Sequence, residues 1–160
     1  MQSTDISGMT SWRKWGSDAL NSAPDFPGIY VLRLERGRAI ERLIGSSDIL
    51  YIGRSKNSTI KRRLTTHSKT NDPLKRVRKE VGEIEVSWRC LETGHMVKLW
   101  ESDLIARYEL EHIELPPLNR TQPWATLQQA KLLMPANVRK AMLEAANKNG
   151  YPLEIPDNNL

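Results

Sequence analysis

Arg63 and His67 stand four residues apart in a run with helical spacing, so both side chains project from one face toward the same space. A guanidinium can hold a nonbridging phosphate oxygen bidentately, and an imidazole with a pKa of about 6.5 can accept or donate a proton, so the pair suits phosphoryl transfer. Taken alone, such a pair is usually surface decoration. Around it Arg54, Lys56, Lys61, Arg62, Lys69, Lys75, Arg76, Arg78 and Lys79 crowd into a stretch in which Asp72 is the only acid. That concentration is the footprint of phosphate binding, or of a solvated pair of basic helices. Glu101 precedes Leu104, Ile105 and Tyr108 by three, four and seven residues and so borders an apolar stripe. A carboxylate there loses hydration and is either paired with an arginine or holds a metal ion. Tyr30 and Tyr51 complete the set; for either one alone, strand packing is a sufficient reason.

These groups need elements to carry them. Gly28 to Glu35 is rich in β-formers and places apolar Ile29, Val31 and Leu34 along a strand. Residues 36 to 48 read as turn, and Ile49-Leu50-Tyr51-Ile52 as a short buried strand ended by Gly53. The two strands form an antiparallel hairpin with a long connection. Ser58 or Thr59 caps a helix from Ile60 to about Ser68, and a second short helix begins near Pro73. Glu83 to Leu91 alternates with period two and predicts a strand with one wet face. Val97, Trp100, Leu104, Ile105 and Tyr108 form a helical stripe between Met96 and about Ile113, stopped by Pro116-Pro117. The order β-β-α-α-β-α predicts an α+β fold with a small three-stranded antiparallel sheet flanked by helices.

Residues 1–23, with Trp12 and Trp15, read as an arm or short helix packed by its indoles. Residues 24–122 form the domain, and 123–160 a helical extension with a tail. Trp124, Leu127, Leu133, Met134, Val138, Met142 and Leu143 give that extension an apolar stripe, suited to capping the sheet, to a homodimer or to positioning a substrate.

Gly28-Ile29-Tyr30 and Tyr51-Ile52-Gly53, followed in order by Arg63-Leu64, Glu101 and Pro117-Leu118-Asn119, resemble the GIY-YIG nuclease family over residues 26 to 120. The resemblance implies a catalytic centre of Tyr30, Tyr51, Arg63 and Glu101, with His67 and Arg54 matching a histidine and a basic residue that some members carry. Arg63 is favoured over Arg62 by the following Leu64 and by His67. Glu101 is favoured over Glu109 and Glu111 because Glu101-Ser102-Asp103-Leu104-Ile105 looks like the family's glutamate followed by two variable residues and an apolar pair. Asn119 would brace the site by hydrogen bonds. The implied activity is hydrolysis of DNA by a one-metal mechanism. Glu101 would hold Mg²⁺ or Mn²⁺, Tyr30 or Tyr51 would activate water, and Arg63 would stabilise the phosphate. His67 would relay a proton or bind phosphate. Arg54, Lys56, Lys61, Arg62 and Asn119 would meet the substrate. The alternatives are a nucleic-acid-binding module without hydrolysis on the same fold, and a protein whose basic helices contact an acidic partner.

Length and composition set the outer limits. With 160 residues, 39% of them hydrophobic, the chain has enough material for one domain with a core and too little for two. A net charge of +5 and a pI near 9.5 favour a polyanionic partner. Cys90 is the only cysteine, which excludes an internal disulfide or a cysteine-built zinc site and fits a reducing, cytoplasmic compartment. No stretch approaches the roughly 20 apolar residues that span a bilayer, and the first ten residues lack a secretory pattern, so no membrane partner is expected.

Overall fold

The computed structural model describes residues 8–119. Its elements follow the hydrophobic pattern closely: β1 (Arg13–Lys14), α1 (Ser17–Ser22), β2 (Gly28–Leu34), β3 (Ile40–Glu41), β4 (Ser46–Ser47), β5 (Ile49–Ser55), α2 (Ile60–Thr70), α3 (Asp72–Glu80), β6 (Ile84–Cys90) and α4 (Gly94–His112). The fold is α+β. Three side-chain caps set the helix starts, each accepting an otherwise orphaned backbone N–H: Thr59 from Arg62, Asn71 from Leu74 and Thr93 from Met96. Helix α4 ends at Ile113 in the left-handed conformation, φ 60°, three residues ahead of Pro116. No helix among the described residues is long and apolar enough to cross a membrane.

The sheet has four strands rather than three, in the order β1-β6-β2-β5, all antiparallel. The extra strand is two residues of the arm, Arg13 and Lys14, paired with Val86 and Glu85, too short to carry a periodic signal. The turn-like 36–48 stretch also contains a second small ladder, with Ile40 opposite Ser47 and Glu41 opposite Ser46. The expected helices of 123–160 lie outside the described residues.

Two apolar layers flank the sheet. Leu32, Leu34, Ile84, Val86 and Trp88 pack beneath Trp15 and Ala19 of the arm and Ile60, Leu64 and Leu74 of α2 and α3. On the opposite face Ile29, Val31, Ile49 and Ile52 pack against Val97, Leu104, Ile105 and Tyr108 of α4. The wet face expected for β6 is therefore covered. Its polar residues are instead partnered: Glu85 accepts from Arg33 at 2.8 Å, Ser87 is fully buried and donates to Thr10 at 2.6 Å, and the Arg89 guanidinium lies 4.2 Å from the Trp100 ring.

Candidate active site

Residues directly opposite each other in antiparallel strands share a face, and Tyr30 lies opposite Gly53 while Leu32 lies opposite Tyr51. Both tyrosines thus point to the α2 side. A bulge makes this possible. The register slips between Leu32 and Arg33, so that Ile49 faces α4 while Leu50 and Tyr51 both join the α2 layer. The glycines of the two tripeptides have steric reasons. A Cβ at Gly53 would stand 2.4 Å from Tyr51 Cε1 and 2.7 Å from Tyr30 Cζ, and one at Gly28 would stand 2.0 Å from the Arg89 carbonyl oxygen. Only glycine leaves room for the rings and for the close approach of β2 to β6.

Helix α2 lays Arg63 and His67 over this pair. The Tyr30 oxygen lies 2.7 Å from His67 Nε2, and the His67 ring stands edge-on to Tyr51 at 5.2 Å and to Tyr30 at 5.7 Å. The Arg63 charge acts on both phenols. Burial nevertheless dominates and pushes the Tyr30 phenol above its ordinary range, with Tyr51 adding to the rise and Arg63 opposing it. Tyr51 shifts the same way and for the same first cause. Both are neutral phenols at neutral pH, so the site holds no standing phenolate to act as a ready base. Burial, aided by Arg63, lowers His67 to about 4, so its ring is neutral as well.

Glu101 approaches from the other face. Arg54 alternates with Tyr51's side of β5 and points toward α4, where its Nη1 meets Glu101 Oε2 at 2.8 Å. Of the two fates open to a carboxylate beside an apolar stripe, pairing with an arginine is the one adopted here. The pair is largely sequestered, with 12% of the Glu101 side chain and 29% of the Arg54 side chain exposed. Burial raises the Glu101 pKa, and Arg54 and Arg63 oppose the rise.

The two groups meet around the rim of β5, the edge strand. Tyr51, Arg54 and Glu101 form a wall between two clefts. One, of about 670 Å³, continues along His67, Asn71 and Asn119; the other, of about 410 Å³, continues along Lys56 and Arg63. Glu109 and Glu111, the rival carboxylates, line neither cleft. Lys61 and Arg62 also line neither and face solvent on the outer side of α2. Asn119 borders the larger cleft, but its amide is spent on the strand: Oδ1 accepts from the Ile52 N–H at 3.0 Å and Nδ2 donates to the Ile52 carbonyl at 2.8 Å. It braces the rim instead of reaching out to a substrate. Asn71 is the contributor that the spacing argument overlooked. It sits four residues after His67 and is followed by Asp72-Pro73, a helix-start signal that could have drawn notice.

Comparison with family models, with curated proteins and with solved structures yields no match.

Among the described residues no three His, Cys, Asp or Glu side chains gather as a metal cage. One carboxylate bordering open clefts fits a different kind of ion, a Mg²⁺ or Mn²⁺ that keeps several waters and takes only one or two protein ligands. Glu101 is the residue that would hold it.

Proposed function

We propose that the chain is a metal-dependent endonuclease of the GIY-YIG type that hydrolyses DNA phosphodiester bonds. The observation that carries this reading is the convergence of Tyr30, Tyr51, Arg63, His67 and Glu101, spread over seventy-odd positions of sequence, on one rim beside a basic helix pair. A purely structural role for each would not require Tyr51, Arg63, His67 and Glu101 to line two adjoining open clefts with the buried Tyr30 directly behind them.

A divalent ion bound at Glu101 would supply Lewis-acid stabilisation of the scissile phosphate and a more acidic water. The chain's own groups do the rest. Tyr51, the more accessible phenol, orients the attacking water by hydrogen bonding at its Oη, and the sealed Tyr30 supports it from behind. Arg63 neutralises charge developing on the nonbridging oxygens. Arg54 holds Glu101 in place, and exchanging that partner frees its guanidinium for a backbone phosphate. Lys56, Lys61 and Arg62 set the duplex along α2, where no described carboxylate pairs with them.

Conversion of supercoiled plasmid to the relaxed form in Mg²⁺, with Arg63→Ala and Glu101→Ala alongside, tests the reading. Each substitution is expected to lower the rate by about 100-fold or more. Robust cleavage by either variant rejects the site. The Arg54–Glu101 pair favours a second reading, in which the carboxylate is permanently structural and the fold binds nucleic acid without cutting it. Salt-sensitive DNA binding without cleavage by the unsubstituted protein in Mg²⁺ or Mn²⁺ would select that reading.

A further inference from the structure

The hydrogen-bond donors and acceptors around His67 fix which of its nitrogens carries the proton. Asn71 caps α3, with its Oδ1 3.0 Å from the Leu74 backbone nitrogen. A backbone N–H can only donate, so the atom facing it must be the amide oxygen. That leaves the Asn71 NH₂, a donor only, 3.2 Å from His67 Nδ1. Nδ1 must then offer its lone pair, and the ring proton belongs on Nε2, which faces the Tyr30 oxygen at 2.7 Å.

We infer that Asn71 is a positioning residue that holds His67 as the Nε2–H tautomer, aligning a one-way hydrogen-bond chain from the α2–α3 junction through His67 to Tyr30. In this chain His67 donates to Tyr30 Oη, which leaves the Tyr30 hydroxyl its own proton. The ring of Tyr51 lies beyond, its centroid 6.0 Å from that of Tyr30. Tyr51 itself borders both clefts. His67 is accordingly a donor that steadies the phenols, and it does not withdraw the Tyr30 proton. The catalytic meaning of the chain rests on the nuclease reading; the tautomer does not.

Nitrogen-15 NMR of the imidazoles in the full chain at neutral pH reads the tautomer directly. The protein has three histidines, and His112 supplies an internal contrast. Its Nδ1 lies 2.8 Å from the Ile44 carbonyl oxygen, which can only accept, so His112 must be the Nδ1–H form. Wild type is expected to show His67 with a protonated Nε2 and a bare Nδ1, the reverse of His112. Asn71→Asp keeps an acceptor for the Leu74 N–H, and hence the cap, but sets a carboxylate oxygen against Nδ1. It is expected to move the proton there and exchange the two His67 signatures, while Asn71→Ser, capped but without the amide, gives a mixture. A wild-type His67 protonated on Nδ1, or an Asn71→Asp spectrum that keeps the wild-type pattern, overturns the inference. Plasmid nicking by Asn71→Asp is expected to fall about tenfold or more, the loss typical of a misaligned acid–base group. If wild type shows the expected tautomer yet cuts no DNA, the nuclease reading fails and the tautomer assignment stands.

Discussion

A single methyl group at position 53 would collide with two aromatic rings at once, so Gly53 tightly restricts the site. Gly53→Ala is expected to cost about 1–3 kcal/mol, as overpacking does, because Tyr51 and Tyr30 cannot both stay in place. Urea denaturation and the near-ultraviolet dichroism of the tyrosines check it; an unchanged midpoint and spectrum would show that the rings are not so confined. His67 gives a second prediction. Its folded pKa of about 4 lies below the ordinary value of 6.5, so as pH falls the unfolded chain takes the proton first. The stability it contributes is complete above pH 6.5 and drains away between pH 6.5 and about 4. Urea midpoints measured across that window should fall more steeply for wild type than for His67→Gln, and parallel curves would contradict the assignment. The sequence shows that Arg63 and His67 share a helix face, because spacing determines it. It does not show that Tyr51 joins Tyr30, because that depends on a bulge, and a one-residue register change exchanges the faces of a strand.

Among the elements, β5 is the one on which both halves of the site depend. Its inner edge is paired with β2; its outer edge is closed by Asn119 on Ile52 and by the Leu118 N–H on the Leu50 carbonyl at 2.9 Å. Asn119→Ala strips both partners from Ile52 and is expected to lower stability by about 1–3 kcal/mol, the cost of unmet backbone groups. Equal urea midpoints for the variant and wild type would mean that water replaces the amide without penalty. The helices were legible because apolar spacing marks them, with a cap at Thr59 before Ile60, Pro73 at the start of α3 and Pro116-Pro117 beyond the end of α4; the caps Asn71 and Thr93 emerge only in the structure. β1 and the β3–β4 ladder were not, since two residues hold no period. The polar positions of β6 misled for another reason. Alternation marks polarity, and Glu85, Ser87 and Arg89 are polar but satisfied under cover.

At the scale of the whole molecule, the positive charge is laid unevenly. Lys61, Arg62, Lys69, Arg76 and Lys79 face solvent along α2 and α3, while Arg33, Arg38, Arg42 and Arg107 are each tied to a carboxylate. If the helix pair is the phosphate track, Lys61→Gln with Arg62→Gln should weaken DNA binding at low salt. The double variant should also flatten the slope of log affinity against log salt by about one unit per lost phosphate contact, leaving the urea midpoint in place. Filter binding over a salt series measures it, and an unaltered slope would move the interface elsewhere.

The placement of the site around an edge strand also governs how it is lost. Tyr51 and Arg54 reach their partners on opposite faces only while β5 stays seated, and that strand has one sheet neighbour where β2 has two. Edge segments open at lower free energy than the centre of a sheet, so the Ile52 amide should exchange with solvent deuterium sooner than that of Val31, which lies opposite it in β2. Warming should then separate the two halves of the site before the central β2–β6 pair opens. Function in this chain would fade at temperatures where the fold, by circular dichroism, is still intact.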